Sequence, residues 1–90
     1  MAKVVIRMRI MPKSPEVKLG DIATKIKSLV GEGNWISSEE SPIAFGLSAL
    51  IVTFLLDESK AEELEKIEER IRAIKEVESA DTIDVRRTFA

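Results

Sequence analysis

Cysteine and histidine are both missing from this chain of 90 residues. The first absence rules out a disulfide framework, thiol chemistry and a cysteine zinc site. The second removes the commonest metal ligand and the side chain best suited to carry protons near neutral pH. A hydrolase triad would need lysine as its base, and none of Ser37, Ser38, Ser41, Ser48, Ser59 and Ser79 has a telling context for one. Charge of one sign is not in excess either. A net charge of -2 gives no global attraction to nucleic acid or to an anionic membrane. The longest apolar stretch, Leu47 to Leu56, has about half of the ~20 residues a membrane helix needs. Near the N-terminus, Arg7 and Arg9 break up the apolar residues that would form the centre of a signal peptide. These absences predict a soluble intracellular, cytoplasmic protein, one domain spanning 1–90, with no metal, no cofactor and no bond-making chemistry.

What is present is periodicity. In Lys3 to Met11, Val4, Ile6, Met8 and Ile10 point one way while Val5, Arg7, Arg9 and Met11 point the other, which predicts a strand ended by Pro12 and Pro15. Leu19, Ile22, Ala23, Ile26, Leu29 and Val30 recur at spacings of three and four. They predict a helix from about Leu19 to Val30, weakened near its start by Gly20 and stopped by Gly31 and Gly33. Asn34 to Ser41 is polar apart from Trp35 and Ile36 and reads as a solvated edge strand leading into a Pro42 to Gly46 connection. Leu47 to Leu56 reads as a strand buried on both faces or nearly so, hence central. Asp57-Glu58-Ser59 is a break, with Ser59 and Glu62 at the spacing of a capping box. Ala61, Leu64, Ile67, Ile71 and Ile74 form a second helical stripe, its acidic residues early and its basic residues late, as the helix dipole favours. Val77 to Ala80 reads as a short connection. Thr82 to Arg87 then reads as a last strand, with Ile83 and Val85 inward and Thr82, Asp84 and Arg86 outward.

Two amphipathic helices can cover only one face of a four-stranded sheet, and right-handed crossovers leave few topologies for the order strand, helix, strand, strand, helix, strand. The predicted class is α+β: a ferredoxin-like βαββαβ sandwich with an antiparallel sheet and both helices on one face. Its first and third strands would be central, and its open face would carry Arg7 and Arg9 with Asp84 across from them. An RNA-binding sheet of this topology displays aromatic rings on its central strands, whereas this one offers Arg7, Arg9, Ile51 and Thr53.

Motifs with chemistry are few. Gly31-Glu32-Gly33 lacks the Gly-Lys-Ser/Thr ending of a phosphate loop and suits a helix stop. Glu39 and Glu40, as neighbours on a strand, face opposite ways and do not share a ligand. Two features resist so plain an account. Phe45, between Ala44 and Gly46, either caps the core or protrudes as an aromatic anchor for a partner. The Arg86-Arg87 pair is either a solubilising terminus or an anion-directed group delivered by the last strand. Periodicity does not choose between these alternatives.

MPKSP after the first strand, SPIAFGLSALIV in the middle and VESADTIDVRR at the end resemble the archaeal translation elongation factor 1-beta family, in order and over essentially the whole chain. The resemblance implies the ferredoxin-like fold and guanine-nucleotide exchange on elongation factor 1-alpha, a GTPase bound in its GDP-bound and nucleotide-free states. It implies no direct contact with nucleic acid or membrane. It also implies that Ile43, Ala44, Phe45 and Gly46 and the C-terminal end reach the partner, with a basic residue directed to the partner's magnesium and phosphate site. Matching VESAD to the family places that residue at Arg87, where eukaryotic relatives carry lysine, with Arg86 beside it. The expectation is that Phe45 and Arg87 lie on one side of the sheet and act together near the bound nucleotide. Two other readings stand beside it: a ferredoxin-like regulatory module binding a small ligand, and an acylphosphatase-like enzyme, for which no glycine-rich phosphate cradle with an adjacent arginine is present.

Overall fold

In the computed structural model, which describes residues 3–60 and 62–88 apart from the side chain of Thr88, the first alternating stretch is strand β1 (Lys3–Pro12). Its even residues Val4, Ile6, Met8 and Ile10 are buried. Helix α1 (Leu19–Val30) turns Leu19, Ile22 and Ile26 into the same core and ends at Gly31, whose φ of 89° is one that L side chains rarely adopt. Strands β2 (Trp35–Ala44) and β3 (Leu47–Asp57) form a hairpin, a single 3₁₀ turn (Glu58–Lys60) follows, and helix α2 (Glu63–Arg72) leads to strand β4 (Val77–Thr88). The four strands lie in the order β2-β3-β1-β4 and pair antiparallel throughout, with β1 and β3 central. This is the α+β ferredoxin-like sandwich expected from the pattern. The core lies between the helices and one sheet face, where Leu50, Val52, Phe54 and Leu56 of β3 meet β1, α1 and Ile71 of α2.

Several local expectations fail, and each failure has a physical reason. Strand β2 continues through Pro42 to Ala44 instead of stopping at Ser41. It is an edge strand, so a proline without an N–H can be accommodated there. Strand β4 begins at Val77, before the expected connection ends, because Val77 to Ala80 pair with the end of β1 and Arg72 donates through Nε and Nη2 to the Ala80 carbonyl at 3.2 and 3.0 Å. The capping box does not form. Glu62 precedes α2 without a side-chain cap, and Ser59 lies in the 3₁₀ turn instead. Ala61, assigned above to the second stripe, lies outside the described residues.

The alternation of β4 is also broken twice, at Glu78, which the pairs Met11 with Ser79 and Pro12 with Val77 skip, and at Ile83. Ile6 opposes Val85 and Arg7 opposes Asp84, but Met8 opposes Thr82, which makes Ile83 the extra residue of a bulge. Thr82 therefore faces the helices, where its hydroxyl donates to Glu68 of α2 at 2.7 Å, not solvent as regular alternation required. Val85, opposite the buried Ile6, faces the helix side as expected but is 54 % exposed, and Ile83, expected inward, is the bulge residue and 45 % exposed. Helix α2 is only ~15 Å long, and its hydrogen bonds to β4 reach Ala80 and Thr82, leaving Val85 beyond its cover on an edge strand. On the open face Asp84 does lie across from Arg7, but its carboxylate pairs with Arg86 at 2.8 Å while Arg7 reaches Glu39 at 3.3 Å.

Two further ion pairs tie the elements together: Lys3 with Asp57 at 2.8 Å and Lys25 of α1 with Glu76 at 2.7 Å. The hydrogen bond and the charge of Lys3 hold the Asp57 carboxyl below its ordinary 3.8, and the hydrogen bond from Lys25 holds Glu76 below 4.5. A carboxyl lowered by folding stabilises the fold fully above its ordinary value and loses that contribution as pH falls through the lowered one. Melting temperature is therefore expected to drop as pH descends below that range. Because both pairs are partly solvated, the drop is modest and shrinks in high salt. K25M should remove the Glu76 share of the acid-side slope; an unchanged slope would show that the pair adds nothing.

Candidate functional site

The hairpin between β2 and β3 is closed by only two residues, Phe45 and Gly46, after the last pair Ala44 and Leu47. Both have positive φ, 53° for Phe45 and 77° for Gly46, as a type I′ turn requires. Glycine adopts this conformation readily. Phenylalanine does not, and its Cβ in the left-handed region costs about 1–2 kcal/mol. Phe45 is nevertheless 98 % exposed, so no packing within the chain offsets that strain. The alternative in which Phe45 caps the core is thereby excluded. Ile43 beside it is 51 % exposed, and Ala44 and Gly46 are exposed as well, so the tip presents an apolar surface held by two paired strands.

At the other candidate position, the end of β4 pairs with the beginning of β1, with Arg86 across from Val5 and Arg87 across from Val4. Val4 belongs to the core side and Val5 to the open side, so the two arginines leave the sheet on opposite faces. Arg86 pairs through Nε with Asp84, two residues earlier on its own strand. Arg87 pairs through Nη2 with Glu58, in the 3₁₀ turn that follows β3. Both guanidiniums remain largely accessible, at 78 % and 67 % of their side-chain surface. The contact with Glu58 was not legible in the sequence, where 29 positions separate the partners; the Asp84-Arg86 spacing, by contrast, is a strand's same-face spacing and was there to be read.

Phe45 and Arg87 do not lie together. Strand β3 is antiparallel to β1 and β1 to β4, so β3 and β4 run in the same direction and finish at the same end of the sheet. Arg87 is level with Leu56 near that end, whereas the Phe45 turn precedes Leu47 at the other. The length of β3 separates them, roughly 30 Å at ~3.3 Å per residue. The expectation that hook and cation engage one spot together is overturned by strand direction alone.

A cavity of about 400 Å³ lies beside the turn, lined by Pro12, Lys18, Glu40 and Gly46 among others. Among the described residues no polar or charged side chain is buried, in this cavity or elsewhere. Also among the described residues, no group of three or more acidic side chains is arranged to hold a metal ion, and no helix is long and apolar enough to cross a membrane.

Residues 5–88, which include the apolar turn and both arginines, match the EF-1 guanine nucleotide exchange domain. The chain belongs to this exchange-domain family. Among its relatives, elongation factor 1-beta of Methanosphaera stadtmanae is 37 % identical over 97 % of this chain and 98 % of its own length. That of Nanoarchaeum equitans is 39 % identical over 84 % and 94 %, and that of Pyrococcus furiosus 37 % over 89 % of each. The likeness thus spans nearly the whole of both partners, not one shared segment. In fold alone, the C-terminal domain of the MgtC protein from Mycobacterium tuberculosis is similar, with a TM-score of 0.56 over 92 % of this chain and 86 % of that one at 13 % identity. In this chain the exposed Phe45 turn and the Arg87 side chain stand at the two ends of one sheet.

Proposed function

We propose that this chain accelerates the release of GDP from elongation factor 1-alpha by touching the GTPase at two points about 30 Å apart, one with the Phe45 turn and one with the Arg87 end. The match of residues 5–88 to the exchange-domain family carries this reading. The exposed, strained Phe45 supports the first contact, since an apolar side chain held against its own backbone preference and covered by nothing is suited to insertion in a partner. The second contact is the one directed at the nucleotide. A guanidinium from Arg87, on the opposite face from Arg86, competes with the partner's magnesium for the phosphates, and GDP bound without its full charge neutralisation dissociates faster. No covalent bond is made or broken. Because coupling between two ligands is reciprocal, the incoming nucleotide weakens the grip of the exchange factor by the same factor, which frees it for another cycle. The partner is engaged with GDP bound and again when empty.

Mixing the purified chain with elongation factor 1-alpha loaded with fluorescent GDP, in excess unlabelled nucleotide, should speed loss of the signal in proportion to added chain until saturation. An unchanged rate at saturating concentrations would overturn the reading. The small-ligand module has less support, because ligand pockets orient their occupants with placed polar groups and none is buried among the described residues. Calorimetric titration with amino acids and nucleotides should accordingly give no tight binding.

A further inference from the structure

At the end of the sheet opposite the Phe45 turn, three cations each have an acidic partner: Lys3 has Asp57, Arg86 has Asp84 and Arg87 has Glu58. Arg86 and Asp84 belong to one strand and move together. The pair of Arg87 differs, because Glu58 belongs to the 3₁₀ turn between β3 and α2, and β1 lies between that strand and β4. It is a side-chain clasp from the end of the chain to a distant element.

We infer that Glu58 is a positioning residue that holds Arg87 in reserve, so that the free protein keeps its guanidinium charge-paired though accessible and the GTPase has to draw it away. The inference rests on the reading of Arg87 under Proposed function. If the carboxylate travelled with the guanidinium, the pair would deliver no net charge to a phosphate site and would set a negative group beside the phosphates. Arg87 therefore acts only after leaving Glu58. The clasp can be left because both members are partly exposed, Arg87 at 67 % and Glu58 at 36 % of their side chains, and exposed pairs of this kind bias a population by no more than about fivefold. A partner that binds only the released state has its apparent affinity reduced by the released fraction. The clasp thus sets the concentration at which exchange half-saturates and leaves the maximal rate alone.

The test compares four proteins in the fluorescent-GDP assay: wild type, E58Q, R87A and the double variant, each checked for an intact fold by circular dichroism. E58Q is expected to lower the half-saturating concentration about two- to fivefold with the maximal rate unchanged, and to shift nothing when Arg87 is already alanine. A merely structural role for Glu58, or a direct repulsion between Glu58 and the GTPase, would move both backgrounds alike and would overturn the inference. So would an E58Q protein whose half-saturation rises or stays put while R87A is slow; in that case the role of Arg87 survives and only the clasp fails. If R87A exchanges nucleotide like the wild type, the reading of Arg87 falls and the clasp falls with it.

Discussion

Replacing Arg87 by alanine is expected to slow GDP release from elongation factor 1-alpha by roughly a hundredfold, the loss that follows when one member of a desolvated charge pair is removed. The fold should be unaffected. Among the described residues the ion pair of Arg87 is with the partly exposed Glu58 carboxylate, and such a pair contributes little to stability. An R87A protein that melts like the wild type but exchanges slowly therefore isolates the action on the partner. R87K keeps the charge and loses the planar fork, so it should retain much more of the rate than alanine does. R86A removes a guanidinium that leaves on the opposite face beside Asp84, and its effect should be clearly smaller than that of R87A. Exchange by R87A within twofold of wild type would remove the terminal cation from the mechanism.

The second large effect is expected at the other end of the molecule, and it carries two opposite signs. Asn-Gly is the favoured pair for a two-residue turn with both φ values positive, whereas this chain places phenylalanine at the first position with φ 53°. F45N should therefore relieve about 1 kcal/mol of strain and raise the melting temperature by about 4–8 °C, as expected for a domain of this size. The same change deletes the aromatic side chain proposed to anchor the GTPase, and loss of such an anchor typically costs about 2–4 kcal/mol of affinity. The half-saturating concentration should rise at least ~30-fold, with a smaller change in maximal rate. A more stable protein that binds more weakly is an outcome that misfolding does not produce. An F45N chain that melts lower and exchanges normally would show that Phe45 serves the fold and not a partner.

The element order and the identity of the central strands were legible because they rest on local, repeating signals. The stripe of α1 defined both its ends, and the unbroken apolar run of β3 marked it as interior. The extensions of β2 and β4 were not legible. Their residues lie at sheet edges, where one side meets water and little apolar alternation is imposed; Pro42 and the Val77 to Ala80 stretch look like loop material to any local rule. The Ile83 bulge was hidden for a related reason. An extra residue reverses the facing of Thr82 without altering the string of residue types around it.

Sites followed the same division. Phe45 and the Arg86-Arg87 pair stood out as features whose role periodicity did not settle. Whether Phe45 was buried, however, depended on a turn geometry that the surrounding types do not dictate, and the partner of Arg87 came from a turn 29 positions away. The kinds of surface this protein can present were thus written in its amino acids, since burial preference and backbone freedom belong to each residue. Where those surfaces stand relative to one another was set by pairing across the sheet: strands that run in one direction carry their ends to the same side, and this sends the aromatic turn and the terminal arginine to opposite ends.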